Sequence, residues 1–328
     1  MSGTNAEQSV NTVRMKIGLI DVDSYGKTPK FPNLALMRIS AYHKSIGDSV
    51  EWWMPGIMFW YDRVYMSKVF SDTYTKPLPD PMNASEIFKG GTGFAIHLEN
   101  GVECFDKDVH RDLPPEIEKM FPDYSIYPNI DFAISMTSRG CPRGCHFCHV
   151  AAKEGRCAVK VADVANFWSG QREIKVLDPN IAALKESDKR NLMQQYIETE
   201  AVIDFTQGLD IRLINDNDVA DINRMKIHYT HFAWDNPQDN LKEKFRRYAQ
   251  IGKKNKSGCY GVVYVLTNFG STLEQDLYRI YTLRDLGFEP YVMIYNKPDA
   301  PKEIRRLQRW CNNRFIFKSC KRFEDYKG

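Results

Sequence analysis

Residues 135–150 read SMTSRGCPRGCHFCHV and hold three of the chain's eight cysteines within eight positions. These cysteines are Cys141, Cys145 and Cys148, spaced C-x3-C-x2-C. They directly follow FAISMTS, a run that predicts a buried strand. Pro142 and Gly144 favour a tight loop between the thiols. Because three thiols on one short loop can converge on one centre, the stretch predicts a soft-metal site of zinc, copper(I) or iron–sulfur type.

A regular alternation of strand-like and helix-like segments extends from this loop. After FAISMTS, strand-like segments recur at IKVLDPN, VIDFTQGLDIRL, IHYTHFAWD, YGVVYVLTN and EPYVMIYN. Helix-like segments such as SDKRNLMQQYIETE and STLEQDLYRIYTLRDLG lie between them. Successive strands begin roughly 25–40 residues apart, which is typical of βα units in a parallel sheet. Six such units predict an open or incomplete (βα)6 barrel, since a closed barrel needs about eight.

The chain divides into four predicted regions. Residues 1–14 are polar and predict a flexible arm. Residues 15–128 combine the strand-like runs MKIGLIDVDS and SVEWWMP with an amphipathic helix, PNLALMRISAYHKSIGD, and predict a small α/β, Rossmann-like domain. Within it, KGGTGFAIHLENGVECF predicts a turn and a hairpin. Residues 129–300 hold the predicted partial barrel, and residues 301–328 predict a basic helix with an irregular tail.

Composition places the chain among ordinary globular proteins. Hydrophobic residues make up 43% and charged residues 27%, and the net charge of +3 does not demand an anionic partner. No apolar run approaches the roughly 20 residues that span a bilayer, and the first residues lack the apolar core of a signal peptide. The unevenly spaced cysteines do not resemble a secreted disulfide framework. We therefore expect a cytoplasmic protein with reduced thiols and no membrane association.

Zinc is the simplest alternative reading of the cysteine loop. Structural zinc is held by four protein ligands. The fourth would have to be His146, His149 or Cys157, and none has the usual paired spacing. Three ligands without a natural fourth favour an iron–sulfur centre with one open position. Zinc and unmetallated core cysteines remain the alternatives.

With Phe147 before the third cysteine and a six-fold βα series around it, the sequence resembles the radical SAM superfamily over residues 131–296. TSRGCPRGCHFCHV is most similar to members that carry a cobalamin-binding-like domain ahead of the barrel. The resemblance implies that the three cysteines hold three irons of a 4Fe-4S cluster, and that S-adenosylmethionine chelates the fourth iron. It further implies reductive cleavage of that cofactor to methionine and a 5′-deoxyadenosyl radical, which abstracts hydrogen from a substrate.

The resemblance also places the methionine end of the cofactor at the carboxyl ends of the second and third strands. In VLDPNI, Asp178 or Asn180 would accept from the methionine ammonium group, where the superfamily often has a Gly-Gly-Glu turn. The alternative is an ordinary strand-ending turn. In TQGLDIRL, Gln207 and Arg212 are both counted as candidate cofactor contacts, and the Arg212 guanidinium could clamp the methionine carboxylate. The alternative is a structural pair of Arg212 with Asp210.

The nucleoside end is expected at the next strand ends. Asp235 in HFAWD could take the ribose hydroxyls or cap the following helix. Tyr295 in MIYNKP points to the same rim, where adenine or substrate would lie, and Phe147 of the motif is counted with these contacts. No catalytic residue is assigned.

Motifs that the sequence lacks narrow the class of radical SAM chemistry that is expected. The N-terminal region holds only Cys104, so a second cluster is not expected. Cobalamin-dependent members carry D-x-H-x-x-G where this chain reads DVDSYGK, so cobalamin is not expected and the N-terminal layer is interpreted as a lid or substrate platform.

Partners follow from the same resemblance. A reductant such as flavodoxin or ferredoxin is implied. KEKFRRYAQIGKKNK and RRLQRWCNNRFIFKSCKR mix basic and aromatic residues, which suits nucleic acid, but outer helices of a barrel are routinely charged. A small molecule or peptide is the favoured substrate. The alternative function is a non-catalytic iron–sulfur or zinc-binding protein on the same barrel, with nucleic acid as a candidate ligand.

Overall fold

The computed structural model describes residues 14–328, which form two compact units divided between Ile130 and Asp131. The arm predicted over residues 1–14 lies outside the described residues except for Arg14. Each unit combines helices with a sheet of parallel strands. The predicted α/β class is therefore confirmed.

The first unit is built on a four-stranded parallel sheet. Its elements are β1 (Lys16–Asp21), α1 (Leu34–Ser45), β2 (Ser49–Trp52), β3 (Tyr61–Ser67), β4 (Ala84–Gly90), β5 (Ile96–Glu99), β6 (Val102–Phe105) and α2 (Pro115–Glu118). The sheet order is β2-β1-β3-β4, and every pairing is parallel. The predicted hairpin is present as the antiparallel pair β5–β6.

Local sequence explains how α1 is bounded. The Asn33 side chain accepts a hydrogen bond from the Leu36 N–H and caps the first turn. Gly47 follows the helix with φ +92°, a conformation that glycine adopts without strain. Buried Leu36 packs with Ile17 and Ile39 in the core of this unit.

The loop after β1, which reads DVDSYGK, is occupied by internal contacts. Asp21 is buried, which raises its pKa, and it accepts a 2.9 Å hydrogen bond from the Tyr127 hydroxyl. The Asp23 carboxylate accepts from the N–H groups of Val69 and Phe70. These carboxylates therefore hold neighbouring loops of the first unit.

The second unit carries the longer series of alternating elements. Its elements are β7 (Ala133–Ser135), β8 (Ser138–Arg139), α3 (Val150–Glu154), β9 (Val159–Lys160), β10 (Glu173–Val176), α4 (Glu186–Glu198), β11 (Val202–Asp204), α5 (Asp216–Arg224), β12 (Lys226–Ile227), β13 (His231–Ala233), α6 (Lys242–Ile251), β14 (Val262–Thr267), α7 (Leu273–Asp285), β15 (Glu289–Ile294), α8 (Lys302–Asn312) and α9 (Arg314–Ser319).

Two parallel sheets organise this unit. Their orders are β12-β11-β10-β7 and β13-β14-β15. A single parallel bridge between Leu209 and Phe232 links the segment after β11 to β13. Apart from the side strand β12, six strands therefore neighbour one another in chain order. The parallel sheets are observed, whereas their closure into a partial barrel stays a prediction.

Three segments differ from the sequence expectation. β11 ends at Asp204, and Gly208 follows with φ +83°, so VIDFTQGLDIRL turns instead of continuing as one strand. The segment IHYTHFAWD is divided between β12 and β13. The tail expected to be irregular contains α9, because Asn313 caps it by accepting from the N–H groups of Phe315 and Ile316.

Helices cover one face of the two sheets. Phe232 packs against the rings of Phe245 and Tyr248 on α6. Val292 lies in a buried cluster that also contains Trp310 of α8. Among residues 14–328, no helix is both long enough and apolar enough to cross a membrane.

Candidate metal and cofactor site

The cysteine loop leaves the sheet directly after β7 and is closed at its base. β8 pairs antiparallel with β9, which brings residues 138–139 against residues 159–160. The Cys141 N–H donates to the Gly155 carbonyl at 3.1 Å, and the Cys148 N–H donates to the Cys145 carbonyl at 3.0 Å. The fold therefore holds the three predicted ligand cysteines on one closed loop.

Two glycines allow this loop to be compact. Gly140 has φ +82°, and a Cβ built there would lie 2.1 Å from the Cys157 carbonyl oxygen. A Cβ on Gly144 would lie 2.7 Å from a guanidinium nitrogen of Arg156. The missing Cβ atoms let residues 155–157 lie close against the loop that carries the thiols. A side chain at Gly140 would push the backbone of residues 155–157 away, whereas at Gly144 the flexible Arg156 side chain would have to move aside.

We expect Gly140→Ala to weaken cluster binding and stability together. A non-glycine residue in this conformation costs about 1–3 kcal/mol, and the clash with the Cys157 carbonyl adds to it. The measurements are iron per chain after anaerobic reconstitution and the free energy of unfolding. Gly170→Ala is the matched control, since Gly170 has φ +110° but open space around its Cβ. Equal iron content in the two variants would contradict the expectation.

The charges of the three cysteines affect one another's pKa values. Cys141 and Cys145 are half-buried and Cys148 is exposed. Burial raises the pKa of Cys145, and the neighbouring Cys148 raises it further while Arg212 opposes the rise. Although part of the Cys148 residue is exposed, desolvation of its thiol raises its pKa, the Val150 N–H opposes the rise, and Cys141 and Asp235 add to it. Three thiolates in this place would repel one another, so a positively charged iron core would stabilise them.

A single metal ion needs several ligands that converge on one point. Within the described part of the chain, no group of three or more His, Cys, Asp or Glu side chains is arranged to hold one metal ion. A four-iron cluster sets a different requirement, because each cysteine thiolate binds a separate iron. Three thiols on one closed loop fit that donor set.

Asn180 and Asp178, the two candidates for the methionine ammonium contact, lie in different surroundings. The Asn180 side-chain nitrogen lies 3.5 Å from the Cys141 sulfur, to which it donates. Its side-chain oxygen is buried and accepts no hydrogen bond from any residue in the range 14–328. Asp178 is also buried, but its carboxylate accepts from the Thr137 N–H at 3.1 Å and from the Thr137 hydroxyl at 2.8 Å. Only Asn180 therefore presents an unused acceptor.

We expect Asp178→Asn to change how stability depends on pH. Burial raises the pKa of Asp178 from 3.8 to about 6 in the folded chain. The contribution of Asp178 to the stability of the wild type is therefore complete below about pH 4 and is lost as the pH rises through 6. The neutral amide avoids that loss, so from pH 4 to 7 the variant should gain up to about 3 kcal/mol over the wild type. Urea unfolding at several pH values measures the difference.

Asp163→Asn is the control for this pH dependence. The pKa of Asp163 is lowered by hydrogen bonds from Lys160 and Gln195. The contribution of Asp163 to stability is therefore lost as the pH falls, in the opposite direction from that of Asp178. If the stability difference between Asp178→Asn and the wild type did not vary between pH 4 and 7, the Asp178 carboxylate would be ionised in the folded protein throughout that range.

The expected carboxylate clamp is already part of an ion-pair network. Arg212 Nε contacts Asp210 at 2.6 Å, and its Nη1 contacts Asp239 at 2.8 Å. Arg143 of the cysteine loop contacts the other oxygen of Asp210 at 3.0 Å. The structural pair considered as the alternative is present, and it ties the cysteine loop to the segment after β11. Gln207, which precedes Asp210 in the same segment of the chain, is exposed.

Asp235 is close enough to Cys145 and Cys148 for its charge to raise the pKa of both thiols. Burial raises its pKa to about 6, against the opposing charges of Arg279 and Arg212. Arg279 is fully buried and donates to the Asp235 carbonyl at 2.9 Å. Arg279 was not predicted from the sequence. The signal that could have marked it is its place, as a basic residue, on the apolar side of the α7 pattern.

Aromatic rings connect the cysteine loop with the ends of two further strands. The Phe147 and Phe269 ring centroids lie 5.6 Å apart, and those of Phe269 and Tyr295 lie 4.7 Å apart. The Asn268 side chain donates to the Tyr295 carbonyl at 2.8 Å and holds the two strand ends together. Phe147 and Tyr295 were predicted for the site. Phe269 was missed, although its position just after β14 could have marked it.

Comparisons with known proteins assign no family to this site. No family model matches the chain, and no curated protein matches its sequence significantly. Any assignment of function therefore rests on the residues and their geometry.

Proposed function

We propose that this chain is a radical SAM enzyme, with Cys141, Cys145 and Cys148 holding three irons of a 4Fe-4S cluster and S-adenosylmethionine on the fourth. The observation that carries the proposal is the buried, unpartnered side-chain oxygen of Asn180 beside Cys141. A buried acceptor without a donor costs about 1–3 kcal/mol, so it indicates a missing donor group. The ammonium group of S-adenosylmethionine, bound next to the cysteine ligands, is such a donor.

The order of the strands supports a partial (βα)6 barrel for this enzyme. β7, β10, β11, β13, β14 and β15 are parallel neighbours in chain order, with one bridge between the two sheets. Ligands of such folds bind at the carboxyl ends of the strands. The cysteine loop follows β7, Asn180 follows β10, Asp235 follows β13, and Tyr295 follows β15.

Each part of the cofactor has a matching group. Asn180 would accept from the ammonium group, and Arg212 would face the methionine carboxylate while its other contacts hold it in place. Asp235 would accept from ribose hydroxyls, and the rings of Phe147, Phe269 and Tyr295 would form an apolar wall for adenine. A cluster held by Cys141, Cys145 and Cys148 would supply one electron for the cleavage of S-adenosylmethionine to methionine and a 5′-deoxyadenosyl radical, and that radical would take hydrogen from a substrate. A flavodoxin- or ferredoxin-like reductant would supply the electron.

The test is anaerobic reconstitution with iron and sulfide, reduction with dithionite, and assay of 5′-deoxyadenosine after S-adenosylmethionine is added. We expect about four irons per chain, absorbance near 400 nm, and 5′-deoxyadenosine that depends on reductant. Bound zinc without iron would overturn the proposal in favour of a zinc protein. A complete cluster that neither binds nor cleaves S-adenosylmethionine would leave the non-catalytic iron–sulfur protein.

A further inference from the structure

Two basic segments of the second unit are brought together by the fold. One is the loop between α6 and β14, and the other is α9 with the residues on either side of it. Residues 252–259 and 313–322 together hold seven basic residues and no acidic one, whereas the whole chain has a net charge of only +3. Positive charge is therefore concentrated in these two segments. The basic residues of the loop are Lys253, Lys254 and Lys256, and all three are exposed.

Glu289, the first residue of β15, joins the two segments. One oxygen of its carboxylate lies 2.9 Å from Arg314 Nε, and the other lies 3.9 Å from the sulfur of Cys259 in the loop. The Asn255 side chain, also in the loop, donates to that sulfur at 3.1 Å. The loop and the first turn of α9 are therefore neighbours at the amino ends of β14 and β15.

Three side chains of α9 lie on its outer side. The inner side is set by Phe317, which packs on the buried Trp310 with ring centroids 4.8 Å apart. Arg314 and Phe315 lie four and three positions before Lys318, so these exposed side chains share one side of the helix. The Phe315 ring is 88% exposed. With the loop lysines they form a surface that we call the amino-end patch, which consists of Lys253, Lys254, Lys256, Arg314, Phe315 and Lys318.

The amino-end patch has an excess of positive charge. Within residues 14–328, Glu289 pairs with Arg314, and no carboxylate forms an ion pair with the other cations of the patch. Their contacts are uncharged: Lys253 Nζ donates to a backbone carbonyl at 3.1 Å, and Lys254 Nζ lies 5.1 Å from the centroid of a tyrosine ring. The patch therefore attracts an anionic partner. The four charges that remain uncompensated belong to Lys253, Lys254, Lys256 and Lys318.

Charges next to the patch do not cancel this excess. Arg284 at the end of α7 lies 3.5 Å from Asp285, and Arg322 lies 3.4 Å from Glu324, so each pair is neutral. Lys321 forms no ion pair with any described residue and adds one more positive charge. The patch and its surroundings are therefore positive together.

The amino-end patch lies at the opposite end of β14 from the cysteine loop. Phe147 of the cysteine loop contacts Phe269, which comes just after β14, with ring centroids 5.6 Å apart. The patch is at the amino end of the same strand, whose six residues span about 20 Å. A ligand of the patch is therefore not the ligand of the candidate cofactor site.

An exposed ring among unpaired lysines suits single-stranded nucleic acid. Phosphates alternate with flat bases in such a polymer, so phosphates can meet lysines while a base stacks on Phe315. The loop lies beside Arg314, and Lys318 lies about 6 Å further along α9. A bilayer fits less well, because insertion depends on buried apolar area, and Phe315 is the only strongly exposed large apolar side chain among residues 294–328.

We propose that the amino-end patch binds single-stranded nucleic acid. Lys253, Lys254, Lys256 and Lys318 would contact phosphates, and Phe315 would stack on a base. The proposal goes beyond the radical SAM function and does not rest on it, because the patch shares no residue with the candidate cofactor site. Its tests need no cluster, so failure of the radical SAM function would leave it standing.

Binding of two matched strands to the full chain, measured by fluorescence anisotropy, tests the proposal. The probes are labelled oligo(dT) of about twelve nucleotides and an abasic strand of equal length, which keeps the phosphates but lacks the bases. We expect oligo(dT) to bind about tenfold more tightly, because the abasic strand cannot stack. Raising the salt from about 50 to about 200 mM should weaken oligo(dT) binding about twentyfold or more, the effect of three or four phosphate contacts. No binding by about 100 μM protein at the lower salt, or equal affinity for the two strands, would overturn the proposal.

Variants of exposed residues localise the binding. We expect Phe315→Leu to bind the two strands with equal affinity, since it removes the ring but no charge. Lys254→Gln combined with Lys256→Gln should reduce the slope of log affinity against log salt by about 1.4, or about 0.7 for each lost phosphate contact. Tyr278→Leu and Lys302→Gln are the matched controls and should bind like the wild type, because Tyr278 is 51% exposed on α7 and Lys302 begins α8, a helix length from α9. A wild-type preference for oligo(dT) in Phe315→Leu, or a wild-type salt slope in the lysine variant, would overturn the proposal.

Competition by other polyanions separates nucleic acid from the alternative partners. Polyglutamate of comparable charge stands for an acidic protein, and vesicles with about 30% phosphatidylserine stand for an anionic membrane. We expect each to displace labelled oligo(dT) at least about tenfold less effectively than unlabelled oligo(dT) does. Equal or better displacement by polyglutamate would overturn the proposal in favour of an acidic protein. Equal or better displacement by the vesicles would overturn it in favour of a membrane surface.

Discussion

Cys145→Ala should abolish both cluster assembly and S-adenosylmethionine cleavage. Cys145 is the middle one of the three proposed ligands, and the pKa of its thiol is raised by both Cys141 and Cys148. Removing it leaves two thiols for a cluster that needs three from the protein. We expect iron to fall from about four per chain to below about one, and cleavage to fall by at least about a thousandfold. Iron analysis, absorbance near 400 nm and the 5′-deoxyadenosine assay measure these effects.

Cysteines outside the motif provide the matched controls. Cys157 is exposed and lies in the segment that packs on the loop, and Cys320 lies after α9. Neither is needed as a ligand if three thiolates and S-adenosylmethionine complete the cluster. We expect Cys157→Ala and Cys320→Ala to keep full iron and cleavage. Loss of metal in Cys157→Ala would instead show a four-cysteine site, and full cleavage in Cys145→Ala would exclude the proposed cluster.

Much of the fold could be predicted because its signals are local. The strands β10, β14 and β15 are short apolar runs bounded by polar residues, and the helices between them have clear amphipathic patterns. The division of IHYTHFAWD into two strands could not be predicted. It depends on pairing with different neighbours, since β12 adds to β11 while β13 pairs with β14. Such pairing is set by tertiary contacts that periodicity does not contain.

The site was predicted less completely because most of its contacts are between residues distant in the chain. The cysteine spacing and Phe147 are visible as one motif. That Asn180 has a free acceptor while Asp178 is occupied depends on Thr137, about forty positions away. The pairing of Arg143 with Asp210 spans 67 positions. Only the folded chain shows which polar groups are already satisfied.

Asn180→Leu should separate cofactor binding from cluster assembly. The substitution removes the buried side-chain oxygen that would accept from the methionine ammonium group. A hydrogen bond to a charged group is worth about 1.5–3 kcal/mol, which corresponds to about 10- to 100-fold in affinity. We expect S-adenosylmethionine binding to weaken by that factor while iron stays at about four per chain. Equilibrium binding to the oxidised cluster under anaerobic conditions measures the affinity without turnover.

Asn180→Asp distinguishes the oxygen of this side chain from its nitrogen. The carboxylate keeps an acceptor for the ammonium group but loses the N–H that lies 3.5 Å from the Cys141 sulfur. We therefore expect near wild-type S-adenosylmethionine affinity together with a more negative cluster potential, because a thiolate loses a donor and gains a negative neighbour. If Asn180→Leu bound S-adenosylmethionine as tightly as the wild type, the unpartnered oxygen would not be the ammonium contact. The observation that carries the proposed function would then be removed.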